Sequence, residues 1–134
     1  MSETSPRRLE GRTALITGST RGIGLAIGEA FGREGANVIV VGKTKDPHPR
    51  LPGTLDTAAA AIEKAGGKAL PVQCDIRDEA QVAAMVKAGV DAFGGIDIVV
   101  NNASAIFPRP TEQTPIKRFD LMHQVNARGT FLCT

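Results

Sequence analysis

Ala14-Leu15-Ile16-Thr17-Gly18-Ser19-Thr20-Arg21-Gly22-Ile23-Gly24 is the stretch on which the fold turns. Ala14–Thr17 is short, apolar and bounded by glycine, the pattern of a buried strand. From about Gly22, Ile23, Ala26, Ile27, Ala30 and Phe31 recur at helical spacing, predicting an inward face. Gly35 stops the pattern as a C-terminal glycine does. A strand, then glycines, then a helix start makes an anion site, because free N–H groups and the helix dipole converge there. The spacing is Gly18-x-x-x-Gly22-x-Gly24. It is neither the GxGxxG fingerprint nor a Walker loop, which needs Gly-Lys followed by Ser or Thr.

Outward from this turn, apolar runs and helical patterns alternate. Val38–Val41 reads as a second strand, apolar on both faces as interior parallel strands are. Lys43–Gly53, with Pro47, Pro49 and Pro52, reads as a long loop. Thr54–Ala65 predicts a helix closed by Gly66-Gly67. Ala69–Cys74 predicts a third strand, and its Pro71 suits a sheet edge. Asp78 then caps a helix, with Gln81 as the far half of a capping box and Val82, Met85, Val86, Val90 and Phe93 facing inward. Gly94-Gly95 ends it, and Ile96–Val100 is the fourth strand, stopping at Asn101-Asn102. Thr114 at the N-cap and Pro115 at the first helical position open a last helix. Its inward face carries Ile116, Phe119, Met122 and Asn126.

This β-α-β-α-β-α-β-α order predicts an α/β architecture, a Rossmann-type doubly wound parallel sheet with helices on both faces. In the strand order 3-2-1-4-5-6 the apolar fourth strand would be interior. The expectation is a sheet truncated after its fourth strand and the following helix, carried on a piece of a longer protein. Residues 1–11 are expected to be a flexible lead and residues 12–134 the nucleotide-binding part.

Composition excludes several functions. The 16 basic and 14 acidic residues leave a charge of +2, too balanced for a nucleic-acid or membrane surface. Aromatics are 4%, too few for a base-stacking platform. No apolar run spans a bilayer, and the residues behind Arg7-Arg8 do not form a secretory signal. Cys74 and Cys133 are not spaced as a redox or zinc pair, so a reducing compartment is expected. That compartment is the cytoplasm, or in a eukaryote the peroxisome or mitochondrion. His48 and His123 have no ligand partner at metal spacing, and no metal is expected.

Thr17-Gly18-x-x-x-Gly22-Ile23-Gly24 resembles the short-chain dehydrogenase/reductase family. Three further stretches carry the same resemblance in the family's order. They are Asp75 after the third strand, Asn101-Asn102-Ala103 after the fourth, and Asn126 in the last helix. Ser104 departs from the family, where glycine is commonest. One branch of the family is also similar over Gly42-Lys43-Thr44, Pro47-His48-Pro49, Pro52-Gly53-Thr54 and Asn101–Ile106.

The resemblance implies a cofactor site at Gly18, Ser19, Thr20, Arg21, Gly22, Ile23 and Gly24, with Asp75 at the adenine and Asn102 and Ala103 in support. It makes Asn126 the active-site asparagine. An NAD site usually places an acid after the second strand for the ribose 2′-OH. Here Gly42 and Lys43 stand there, and Arg21 lies in the glycine turn. Two cations near the ribose predict NADP(H).

The implied chemistry is hydride transfer between NADP(H) and a small carbonyl or alcohol substrate, lipid-like in the branch, by a protein expected to oligomerise. The family's catalytic tyrosine has no counterpart, because the chain contains no tyrosine. A non-catalytic nucleotide-binding or scaffold module is therefore the competing reading. Asn126 could equally brace its helix. Asp97 reads as a solvated strand-end group.

Overall fold

The computed structural model describes residues 6–43, 46 and 53–134. The proline-rich loop predicted from Lys43 to Gly53, with Pro47, His48, Pro49 and Pro52, lies almost wholly outside the described residues, as does Thr44.

Four strands form one parallel sheet, β1 (Thr13–Ile16), β2 (Asn37–Gly42), β3 (Lys68–Gln73) and β4 (Ile98–Val100). Their spatial order is β3-β2-β1-β4, and every pairing is parallel. The helices between them are α1 (Gly22–Arg33), α2 (Leu55–Ala65) and α3 (Glu79–Phe93). The predicted α/β doubly wound sheet is therefore present. Alternation along the strands divides the core. Ala14, Ile16, Val38 and Val40 pack with Leu55, Ala58 and Ile62 of α2 on one face. Leu15, Ile39 and Val41 pack with Val82, Met85 and Cys133 on the other. Burial on both faces is why β1 and β2 are apolar after their first residues, Thr13 and Asn37. Pro71 lies on the edge strand β3 opposite Val40, where its missing N–H breaks no ladder on the outer side.

Helix α1 departs from its predicted face. Ile23 is 74% exposed, and the buried positions are Gly24, Gly28 and Gly32. Helical periodicity assigns the core face to the bulkiest residues, but here close approach decides it. A Cβ on Gly28 would lie 2.9 Å from Ile62 Cδ1, and one on Gly32 would lie 2.9 Å from the Ile62 carbonyl oxygen. Leu25, Ile27 and Phe31 pack at the margin of this contact.

The lead-in is tied down from Arg7 onward. Leu9 N–H donates to the Glu34 carbonyl at 2.8 Å, Arg8 pairs with the Glu34 carboxylate at 3.2 Å, and Arg7 donates to the Gly66 carbonyl. At the same end of the sheet, Asp97 Oδ2 accepts from the Thr13 N–H at 2.8 Å. Asp97 thus closes the start of β1 rather than standing free in solvent.

Two caps differ from their predicted form. Asp78 does cap α3, accepting from the Gln81 N–H at 3.1 Å. The Gln81 side chain does not return to Asp78 N–H, which bonds Asp75 O instead. At the last helix, Pro115 rather than Thr114 is the N-cap residue. Thr114 Oγ1 donates back to Pro110 O at 3.0 Å, following a single 3-10 turn at Thr111–Gln113.

The last helix is not uniform. It runs as α4 (Ile116–His123), continues through a π-helical stretch (Gln124–Gly129) and ends as α5 (Thr130–Cys133). This shifts its inward face. Ile116 is 72% and Phe119 47% exposed, and Asn126 is exposed too. The residues turned inward are Leu121, Val125, Gly129 and Cys133. Each stands four positions from the last.

Candidate cofactor site

The carboxyl ends of the strands open onto a pocket of about 510 Å³. Such crevices, at the point where strand order reverses, are where doubly wound sheets bind ligands. The reversal here lies between β1 and β4, and the glycine turn leaves β1 at that point.

The turn is built on backbone that only glycine adopts freely. Gly18 and Gly22 have φ of +65° and +59°. Gly24 is required by proximity, since a Cβ there would lie 2.3 Å from Gly18 O and 2.7 Å from Asn102 Nδ2. No side chain caps α1, and its first turn holds no acid. Its N–H groups and positive dipole end are left for an anion.

Thr17 and Asn102 hold the turn against β4. The Thr17 hydroxyl accepts from Asn102 N–H at 3.0 Å and Ala103 N–H at 2.9 Å. Asn102 Nδ2 donates to Thr17 O at 3.0 Å and Gly18 O at 3.1 Å. Asn102 thus supports the turn's backbone from the adjacent strand.

Of the residues singled out from sequence, Gly18, Thr20, Arg21, Ile23, Lys43, Asp75, Asn102 and Ala103 all line this pocket. Gly22 and Gly24 set the path of the turn without lining the pocket. Ser19 is turned away. Its side chain is fully buried, donating to Ile16 O at 2.7 Å and accepting from Val41 N–H at 2.9 Å. It ties β1 to β2, and its hydroxyl is buried away from the pocket. Asn126 lies outside the pocket, against a smaller cavity beside Met122 and His123. Its side chain grips the backbone of Ala105 in both directions.

Leu121, Val125 and Arg77 line the pocket without a signal in sequence, and Gly42 showed only as the position without an acid. Leu121 and Val125 come from the last helix and close the pocket opposite the turn; only the four-residue period of the π-containing helix points them inward. Gly42 is explained by space. A Cβ there would lie 2.7 Å from Thr20 Cγ2, so no side chain fits at that position unless Thr20 moves. Arg77 was silent because its role depends on a local turn. Arg77 N–H donates to Asp75 Oδ1 at 3.0 Å, and its guanidinium lies against both carboxylate oxygens.

The charges follow from these contacts. Arg77, with help from Lys43, holds the Asp75 carboxyl below its usual range, and Asp75 raises Arg77 in return. At the pocket wall, burial pushes the Cys74 thiol up from 9.0 to about 11. Cys133 is raised by the same cause. Both thiols are buried and free, and neither is a nucleophile at neutral pH.

Known proteins share this arrangement. Residues 12–134 match the family profile described as short chain dehydrogenase. Hydroxysteroid dehydrogenase-like protein 2 of Xenopus tropicalis is 57% identical over 125 residues, covering 93% of this chain. The chain spans about 30% of the length of that relative. A short chain dehydrogenase of Mycobacterium thermoresistibile superposes with a TM-score of 0.90 at 55% identity, over 92% of this chain and 44% of that one. An NADH-dependent reductase complexed with NAD superposes with a TM-score of 0.82 at 30% identity, over 96% of this chain and 51% of that one. With its matched profile running from the first strand to the last helix, this chain belongs to the short chain dehydrogenase family.

Proposed function

We propose that this chain forms the cofactor-binding half of an NADP(H)-dependent oxidoreductase acting on a small carbonyl or alcohol substrate. The observation that carries the cofactor choice is the ribose end of the pocket. Arg21 and Lys43 both line it, β2 ends at Gly42, and a Cβ at Gly42 would meet Thr20. An acid at Gly42 of the kind that reads a 2′-OH would need Thr20 to move, while two cations suit a 2′-phosphate.

The pocket fits a dinucleotide in its other parts. The turn at Gly18–Gly24 offers N–H groups to a pyrophosphate. Asp75 stands where a carboxylate could accept from the adenine amino group. Ile23, Leu121 and Val125 offer apolar surface to a nicotinamide ring. When bound, the nicotinamide supplies or takes the hydride, and this chain's residues bind it, orient it and exclude water. Asn126 acts here as a brace for the loop after β4. A lipid-like substrate, assembly into oligomers and a cytoplasmic location belong to the same proposal.

The test is the ratio of dissociation constants for NADPH and NADH in the full chain. NADPH should bind tighter by roughly tenfold, the effect of about one or two partly exposed ion pairs. Lys43→Asp should abolish or reverse the preference. Equal affinities for the unsubstituted protein would defeat the NADP(H) reading.

A further inference from the structure

The glycine turn and the end of β2 are laced together one residue short of the pocket. Ser19 N–H donates to Val41 O at 3.1 Å, and Ser19 Oγ accepts from the Val41 N–H at 2.9 Å. The next residues, Thr20 and Gly42, therefore lie side by side, and both line the pocket. Thr20 is only 8% exposed. A Cβ on Gly42 would lie 2.7 Å from Thr20 Cγ2 and 3.4 Å from Leu55 Cδ2. The Thr20 methyl thus occupies the place that a side chain at position 42 would need.

Thr20 is covered from a second side. A Cβ on Gly53 would collide with Thr20 O and lie 3.6 Å from Arg21 Cβ, so the chain entering α2 crosses the Thr20 carbonyl where only a glycine fits. Gly53 has φ of +90°, which favours glycine for its own sake. A reciprocal cap follows at once. Thr54 Oγ1 accepts from the Thr57 N–H at 3.1 Å, and Thr57 Oγ1 accepts from the Thr54 N–H at 2.7 Å. Leu55, the first residue of α2, is buried in the core with Ala58 and Ile62. The Thr20 backbone is therefore anchored through Ser19 and pressed by Gly53. Threonine branches at Cβ, so its methyl leaves Gly42 only by turning χ1 into another well.

From this interlock we infer that Thr20 is a positioning residue for cofactor choice: its methyl, held by Ser19 and Gly53, keeps the end of β2 clear of any side chain and leaves Arg21 and Lys43 to read the ribose. The inference rests on the pocket being a dinucleotide site. Selectivity then lies in the pairing of positions 20 and 42, not in position 42 by itself. Gly42→Asp alone supplies a carboxylate but pushes against the glycine turn, whose N–H groups are offered to the pyrophosphate. Thr20→Ser removes the methyl and gives that carboxylate room. It can then accept from a ribose 2′-OH and repel a 2′-phosphate. Thr20→Val keeps the methyl and removes the hydroxyl, so it separates the filling of space from any hydrogen bond that Thr20 makes.

The experiment measures dissociation constants of NADPH and NADH for the full chain, unsubstituted and as Gly42→Asp, Gly42→Asp with Thr20→Ser, and Gly42→Asp with Thr20→Val. Gly42→Asp alone should bind both dinucleotides about tenfold more weakly, the effect of overfilling a packed site. Adding Thr20→Ser should recover roughly tenfold for NADH and leave NADPH weak, so that the preference reverses. Adding Thr20→Val should recover neither. A role for Thr20 in stability alone would move the thermal melts and leave the NADPH-to-NADH ratio the same in both double variants. If Gly42→Asp does not fold, Gly42→Ala carries the same Cβ without the charge. Its NADPH affinity should fall, return with Thr20→Ser and stay low with Thr20→Val. Tight NADH binding by Gly42→Asp alone, or equal behaviour of the Thr20→Ser and Thr20→Val forms, overturns the interlock. Equal affinities in the unsubstituted protein defeat the NADP(H) reading, and the substituted forms still decide the interlock. Failure of the unsubstituted protein to bind either dinucleotide overturns the site reading, and this inference with it.

Discussion

Asn126 holds Ala105 by both of its backbone groups, Oδ1 accepting from the N–H and Nδ2 donating to the carbonyl, at 2.9 Å each. The pairing copies one rung of a strand ladder with a side chain in place of a strand. It joins the helix after β4 to the loop that forms one wall of the pocket. Asn126→Ala should lower stability by about 1–2 kcal/mol, the loss of two partly exposed hydrogen bonds, read as a lower denaturant midpoint with an unchanged slope. Asn126→Asp can keep the bond to the N–H but opposes the carbonyl, so it should be no better than alanine. An unshifted midpoint for both variants would contradict the brace.

Gly22 and Gly24 should respond differently to the same substitution. Gly22→Ala meets open space but forces a side chain into the left-handed region, at about 1–2 kcal/mol. Gly24→Ala has no φ penalty but drives a methyl into Gly18 O and Asn102 Nδ2. Its cost should reach about 3 kcal/mol or more, since the obstruction is backbone. Thermal melts of the two variants test the order, and a more stable Gly24→Ala would refute it.

Acid should unmake the Asp75–Arg77 pair. The folded state holds Asp75 below its usual value, so the pair's stabilisation is complete above about pH 4. It is lost as pH falls through the folded value, below which native and unfolded chains bind the same number of protons. Stability curves of the unsubstituted protein and Asp75→Asn should therefore lie a constant distance apart at neutral pH and converge below about pH 4. Parallel curves down to pH 2 would rule this out.

Alkali acts on the residue next to Asp75. Cys74 ionises at about 11 when folded, against 9.0 ordinarily. Between those values the unfolded chain loses a proton that the native chain keeps. Stability should fall as pH rises from 9.0 to about 11, by at most about 1.4 kcal/mol per pH unit for each thiol. The chain has no tyrosine to titrate in the same window. Cys74→Ala should flatten the decline, and the native protein should resist a disulfide-exchange thiol reagent at pH 8 until denaturant is added. Rapid modification of Cys74 without denaturant would count against a buried, protonated thiol.

Much of the fold can be read before any coordinates, because its strands are buried on both faces. Leu15, Ile16, Val38 and Val41 are apolar with no polar interruption, and only a parallel interior strand of that length needs this. The glycine turn is legible for a related reason, since its backbone path at Gly18, Gly22 and Gly24 depends on residues with no side chain. What escapes sequence reading involves distance rather than periodicity. Gly28 and Gly32 face the core because α2 comes too near for anything larger, and no pattern of hydrophobicity encodes a separation. Ser19 looks like a pocket residue by its neighbours, yet its hydroxyl is taken by Ile16 and Val41. Arg77 is two positions from Asp75, a spacing that means nothing until the chain turns. The site was legible at Arg21 in the glycine turn and at Lys43 and Asp75 just past strand ends, and illegible at Leu121 and Val125, whose inward direction depends on a change of helix type.

That change of type has a mechanical consequence. An α-helix advances about 100° per residue, so each four-residue step overshoots a full turn by about 40°. Over the three steps from Leu121 to Cys133 an unbroken α-helix would drift by about 120°. Leu121 would then face the pocket while Cys133 swung toward solvent. The wider turns of Gln124–Gly129 absorb this drift and keep the two ends in phase. The stretch works as a gear between a ligand pocket and a hydrophobic core that would otherwise demand different rotations of one rod. Deleting a single residue from it would restore the tighter winding at little cost to phase, since eleven residues make about three full turns, whereas tightening it at its present length would leave the chain to choose which end stays docked.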